Sequence, residues 1–191
     1  GKITKSTPHG SIDAPMNPIA LAIASGCTFV ARSLDVDVKL LTQLLGRGSR
    51  HRGTSFVEVY QDCNVFNHEA WFYASQKETR SENTILLEHG KPLLFGKENE
   101  KAICRTDRGI EICEADTAGI LVHDETNNEQ AYLLSQLFQP EFPEPLGVFY
   151  VDDSQPTYND LLHEQIQDVK TNHGDADLQA LVTGSQTWTM K

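Results

Sequence analysis

The chain has 191 residues, 39% of them hydrophobic and 23% charged, enough for one domain with a sizeable core or a domain with an appendage. Its net charge of −11 argues against a nucleic-acid partner, because phosphate binding needs a basic face, and suits solubility or a basic docking partner. No apolar run approaches the roughly 18 residues of a membrane helix, and the start does not read as a secretory or transit leader, so neither a membrane nor nucleic acid is expected as a partner. The cytoplasm is the expected location.

Residues Gly1 to Pro18 are rich in Thr, Pro, Gly and Asn and read as an irregular loop, with the X-Pro pairs at Thr7-Pro8, Ala14-Pro15 and Asn17-Pro18 opposing helix. Asn17 followed by Pro18 has the form of an N-cap with proline at the first helical position. The small apolar helix from Pro18 to Ser25 then ends at Gly26. Thr28 to Ser33 reads as a strand, and Asp35 to Arg50 as an amphipathic helix with Val36, Leu40, Leu41, Leu44 and Leu45 near helical spacing. After Gly53 a second strand runs to Tyr60 and breaks at Gln61-Asp62, just before Cys63. Helix, strand, helix, strand is the tail of an open α/β sheet with crossover connections.

From Asn64 the composition changes. Asn67 to Asn83 is expected to be a surface excursion carrying Trp71, Phe72 and Tyr73, with those rings packing on a partner subunit. Leu93 to Phe95, Ala102 to Arg105, Ile110 to Cys113 and Ile120 to His123 read as short strands, the second and third joined by a turn at Asp107-Arg108-Gly109. Asn127 to Phe138 is helical in pattern, Pro140, Pro143 and Pro145 impose an extended linker, and Val148 to Val151 is the last strand. Thr157 to Thr171 is a helix with Leu161, Leu162, Ile166 and Val169 on one face, and Asp175 to Lys191 offers a short helix and the exposed Trp188.

The four cysteines, Cys27, Cys63, Cys104 and Cys113, show no CxxC spacing, so they encode no zinc site or thioredoxin motif by themselves. Cys63 sits where a strand ends, the edge at which α/β sheets hold ligands. It reads either as an inert thiol or as one ligand of a metal or iron–sulfur cluster, which typically takes four cysteines. Cys27 reads as core. Cys104 and Cys113 lie in neighbouring predicted strands, and in a reducing cytosol are expected to pack without a disulfide. Lys5, Ser6, Thr7 and His9 form a polar loop that either meets an anionic ligand or is an exposed turn held by its own hydroxyls. Asp116, Asp124 and Glu125 read as a metal site or a solvated face, the latter preferred, and His89, His123 and His163 as surface or hydrogen-bonded residues.

Three segments, TKSTPHGSIDAPMNPIALAIASGCTFVARS (Thr4 to Ser33), FVEVYQDCNVFN (Phe56 to Asn67) and LLEHGKPLLFG (Leu86 to Gly96), closely resemble the β subunit of the 2-oxoacid:ferredoxin oxidoreductases, and the 2-oxoglutarate branch best. ILVHDE (Ile120 to Glu125), PEFPEPLGVF (Pro140 to Phe149), PTYNDLL (Pro156 to Leu162) and GSQTW (Gly184 to Trp188) resemble that branch's C-terminal extension. The resemblance implies an α/β chain: residues 1–63 as the C-terminal half of a doubly wound thiamine diphosphate-binding fold, and residues 64–191 as a mixed α+β extension.

It also implies chemistry. Such enzymes decarboxylate a 2-oxoacid on thiamine diphosphate with magnesium and form an acyl-CoA. Electrons pass through a four-iron, four-sulfur (4Fe-4S) cluster to ferredoxin. The implied partners are the α subunit, ferredoxin, CoA and the 2-oxoacid. By the same resemblance Cys63, in the segment QDC, matches the fourth cluster cysteine, and Lys5, Ser6 and Thr7 lie on the cofactor side. The family's paired cysteines, third cysteine and GDGD-to-asparagine magnesium motif have no counterpart here, as expected of the C-terminal part of such a subunit. That part alone is expected to be inactive. The competing expectations are a non-catalytic assembly or docking module, and an enzyme for pyruvate or a branched-chain 2-oxoacid.

Overall fold

A computed structural model describes residues 1–107, 109–188 and 190. The proline-punctuated start does stay irregular up to the first helix, α1 (Pro18–Ala24). Asn17 caps α1, its Oδ1 accepting from the Ala20 N–H at 3.0 Å, while its Nδ2 donates to the Ser135 carbonyl at 2.7 Å and so ties the start of α1 to the later chain. Gly26 follows at φ +78°, a turn that a side chain would strain. Strand β1 (Phe29–Leu34) is buried along its entire length. Helix α2 (Val38–Arg50) starts later than its apolar pattern suggests, because the Asp37 carboxylate caps it by accepting from the Leu40 N–H at 3.1 Å. Strand β2 (Ser55–Tyr60) then lies parallel to β1.

Two short helices, α3 (Phe72–Ser75) and α4 (Lys77–Asn83), lie in the stretch read as a surface excursion, and strand β3 (Thr84–Leu87) follows directly. After them come β4 (Leu94–Phe95), β5 (Lys101–Thr106) and β6 (Gly109–Glu114), then α5 (Asn128–Ser135) and β7 (Glu144–Val151). Ile120 to His123 makes isolated bridges, Cys104 to Ile120 and Pro92 to Val122, in place of a regular strand. Arg108, the middle of the turn expected between β5 and β6, lies outside the described residues.

The main sheet has the order β2-β1-β7-β3, with β1 parallel to β2, β3 parallel to β7, and β7 antiparallel to β1. A second, antiparallel sheet has the order β4-β5-β6. One face of the main sheet packs Val30 and Phe149 against α1 (Ile19, Ile23), α5 (Leu134) and the small sheet (Phe95, Ile103). The other packs Phe29, Ala31 and Val148 against Leu44 of α2. Covering both faces makes β1 the centre of the main sheet's core, and each fully buried large side chain there stabilises the fold by about 1.5–3 kcal/mol. At Gly147 of β7, φ is +116° and a Cβ would stand 2.6 Å from the Leu87 carbonyl oxygen, so only glycine allows β3 this close.

Cys104 and Cys113 are joined as a disulfide, correcting the expectation of two packed thiols. The register of the hairpin explains it. Cys104 pairs with Glu111 and Ala102 with Cys113, so the two cysteines are diagonal neighbours on one face, with Cα atoms 6.0 Å apart.

The chain divides into two compact units, Gly1–Gln155 and Pro156–Lys191. Helix α6 (Tyr158–His173) opens with a capping box, Thr157 and Asp160 each accepting from the other's backbone N–H, and α7 (Leu178–Thr183) is capped by Asp177. Among its described residues the second unit buries none, and Trp188 is exposed as expected.

Candidate functional site

The end of β2 carries the site. Tyr60 is buried, and residues 61–70 leave it as a loop that returns at Trp71. Asp62 organises this loop from within. Its Oδ1 accepts from the Glu69 N–H at 2.7 Å and its Oδ2 lies 3.0 Å from His68 Nδ1. The Glu69 N–H and then His68 hold the Asp62 carboxyl below the usual carboxylate range. Cys63 and Asn67 form a bridge, with the Asn67 N–H donating to the Cys63 carbonyl at 2.9 Å.

This tight turn sets the character of the thiol. The backbone N–H groups of Phe66 and Val65, and then Asn67, hold the Cys63 thiol below its ordinary pKa, against burial and the charge of Asp62. The sulfur is half-buried, and Val65 and Phe66 beside it are exposed. Cys27, the other free cysteine, is buried, and its thiol donates to the carbonyls of Phe29 and Thr54. The two free thiols thus separate into a presented one and a packed one.

The N-terminal loop lies against the same turn: Lys2 Nζ donates to the His68 carbonyl at 3.2 Å. Lys5 and Ser6 are exposed on this loop, and Thr7 is half-buried. Its hydroxyls hold one another, with Thr4 Oγ1 3.0 Å from Ser6 Oγ and 2.8 Å from Thr7 Oγ1. Hydroxyls, an ammonium group and a cysteine are therefore gathered at one end of the sheet.

Beneath them is a buried polar cluster that sequence reasoning missed. Arg32 of β1 donates to Glu58 Oε2 at 2.7 Å and to Glu144 Oε1 at 2.6 Å. The Tyr60 hydroxyl donates to Glu144 Oε1 at 2.6 Å, and the Tyr73 hydroxyl to Glu144 Oε2 at 3.3 Å. Burial, the largest cause, pushes both phenols well above their usual pKa and keeps them as donors. Trp71 stacks on Tyr60 with ring centroids 3.6 Å apart. Trp71 and Tyr73 thus turn onto the chain's own core, and of the three neighbouring rings only Phe72 is as exposed as a partner contact would need. The one available signal was an arginine inside an apolar strand pattern.

The remaining polar candidates are held by their neighbours. Glu125 takes a bidentate pair from Arg47 at 2.6 and 2.8 Å, while Asp124 accepts from Thr126. Among the described residues no three His, Cys, Asp or Glu side chains gather as a metal group. His123 is buried and hydrogen-bonds the Val148 carbonyl through Nε2 at 2.7 Å. His51 lies between Asp153 (Nδ1, 2.9 Å) and Thr28 (Nε2, 2.8 Å), in the form of a nucleophile triad. Thr28 Oγ1 already accepts from the Thr54 N–H, however, and Gly53 lies so close that even a Cβ there would collide with it, so no substrate atom fits and the group is a clamp.

The chain is 39% identical over 197 residues to 2-oxoglutarate oxidoreductase subunit KorB of Mycobacterium tuberculosis, a match covering 100% of this chain and 52% of that protein. The chain belongs to the 2-oxoacid:ferredoxin oxidoreductase β-subunit family. The β subunit of the 2-oxoacid:ferredoxin oxidoreductase of Saccharolobus solfataricus is 45% identical over 67 residues, 35% of this chain and 22% of that one. A solved 2-oxoglutarate:ferredoxin oxidoreductase from Magnetococcus marinus, with 2-oxoglutarate, coenzyme A and succinyl-CoA bound, shares the fold at a TM-score of 0.60 and 19% identity, over 97% of this chain and 50% of that one. No family model matches the chain. The chain spans about half the length of the β subunit from M. tuberculosis and of the M. marinus chain.

Proposed function

We propose that this chain serves in the β subunit of a 2-oxoglutarate:ferredoxin oxidoreductase and that Cys63 is a thiolate ligand of its iron–sulfur cluster. In this reading residues 1–63 complete the thiamine diphosphate-binding domain and residues 64–191 are its extension. The substrates are a 2-oxoacid and CoA, the partners are the α subunit and ferredoxin, and the setting is the cytoplasm. Among the described residues no helix is long and apolar enough to cross a membrane.

The observation that carries the reading is the place of Cys63, a free and half-buried thiol on the turn that leaves β2, in a chain matched over its full length by a 2-oxoglutarate oxidoreductase subunit. A cluster ligand must be a thiolate, and hydrogen bonds to sulfur are among the factors that set cluster potential. The N–H groups of Phe66, Val65 and Asn67 favour the thiolate form of Cys63. The described residues fit one ligand of the cluster, with the others outside them. Lys5, Ser6 and Thr7 have the donors that an anionic diphosphate or carboxylate requires, on the N-terminal loop whose Lys2 reaches the His68 carbonyl. When bound, thiamine diphosphate with magnesium supplies the carbanion chemistry and the cluster accepts electrons one at a time. This chain's residues bind, orient and exclude water.

The test is Cys63→Ala in the subunit assembled with its α partner. Cluster iron and ferredoxin reduction should both be lost. A variant retaining full iron content and activity would overturn the assignment.

A further inference from the structure

We propose that Tyr60 and Trp71 are positioning residues that close the base of the Cys63 loop and hold its sulfur in one orientation for the metal. The inference rests on the reading of Cys63 as a cluster ligand. Its geometry is independent of that reading. Residues 61–70 are exposed or half-buried throughout, so the loop has no core of its own to fix it. A metal ligand nevertheless has to be placed to within a few tenths of an ångström, by neighbours whose own rotamers are locked.

The two ends of the loop meet that need. Tyr60, three residues before Cys63, and Trp71, eight after it, stack nearly parallel, with centroids 3.6 Å apart and planes 11° from one another. Both sides of the stack are anchored to the same buried ion pair. The Arg32 guanidinium lies 4.8 Å from the Tyr60 centroid, and the Tyr60 hydroxyl donates to Glu144 at 2.6 Å. Trp71 meets Tyr73 edge-on at 6.3 Å, and the Tyr73 hydroxyl reaches the other oxygen of Glu144. Above this base, Asp62 ties to Glu69 and His68, and Cys63 bridges to Asn67. The loop is thus a ladder of three rungs standing on a charged, desolvated footing, with the thiol on the uppermost rung. Stacked rings couple more strongly than their buried area alone implies, and a stack resists shear between the strand end and the returning chain.

The experiment uses a nitroxide label on Cys63 of the full chain, where the other free thiol, Cys27, is buried and the remaining two cysteines are joined. The label should give an immobilised line shape in the parent. Trp71→Ala, with unchanged far-ultraviolet circular dichroism, should give a mobile one, and Trp71→Phe, whose ring can still stack, should restore the immobilised form. An immobilised label in folded Trp71→Ala, or a mobile one in Trp71→Phe, would overturn the proposal.

Should Trp71→Ala fail to fold, the parent decides. A second label at Leu45→Cys, exposed on α2, should give a narrow distance distribution to Cys63, and a broad one would overturn the proposal. In the holoenzyme, Trp71→Ala should also shift the midpoint potential of the cluster. The labelling readouts use no iron, so a failure of cluster binding at Cys63 leaves them standing, and a mobile label in the parent sinks the clamp without touching the ligand assignment.

Discussion

Removing the Glu144 carboxylate should be among the most destabilising single changes in this chain. Glu144 is 2% exposed and accepts from three donors: the Arg32 guanidinium, the Tyr60 hydroxyl and the Tyr73 hydroxyl. Glu144→Ala leaves two phenols without their acceptor and Arg32, itself buried, with Glu58 alone. Breaking a buried pair by deleting one partner costs about 3–5 kcal/mol, because the remaining charge stays desolvated. That is a large share of the ~5–15 kcal/mol that holds a domain together. With a urea m-value of about 2 kcal/mol/M, the unfolding midpoint should fall by about 2 M. Equilibrium urea titration followed by circular dichroism measures it. Arg32→Met added to Glu144→Leu should recover part of the loss, since apolar packing can replace a buried ion pair at little cost. A midpoint shift below about 0.5 M for Glu144→Ala would refute the view that this cluster is desolvated and mutually satisfied.

Three further outcomes are expected. Cys104→Ser should lower stability by about 2–3 kcal/mol in non-reducing buffer, the loop-closure value for a bridge of this span, and by nothing further on adding reductant; equal midpoints for parent and variant without reductant would contradict the bridge. Burial holds the His123 pKa below 6.5, with the Val148 carbonyl and Glu125 opposing that shift, so the unfolded chain takes up its proton first. Stability should therefore be complete above about pH 6.5 and fall as pH drops through that value, a slope that His123→Gln should flatten in melting curves taken from pH 7.5 to pH 5 (about the range over which a free imidazole charges). Asn17→Ala should cost about 1 kcal/mol through the lost cap of α1, read as a lower urea midpoint, and an unchanged midpoint would count against the cap.

What the sequence could show depended on how local the cause was. The Asn17-Pro18 start, the stop at Gly26, the amphipathic face of α2 and the strands before and after it all follow from spacing within a dozen residues, and all are present. Helices α3 and α4 and strand β3 were not visible, since a charged, turn-rich stretch has no periodicity and is ordered through Arg80 bonding the carbonyls of Ala74 and Ser75. The disulfide was misjudged because residue spacing does not state which face of a hairpin each cysteine occupies.

Cys63 itself was legible as a polar cysteine at a strand end, and its family was legible from motifs in order. The tertiary structure decided what holds it. Glu144 comes from the last strand and Arg32 from the first, 112 residues apart, and they meet because β7 returns antiparallel beside β1. A buried charge is tolerated only where its counter-charge arrives, and that arrival is a property of the sheet order, which no local pattern encodes.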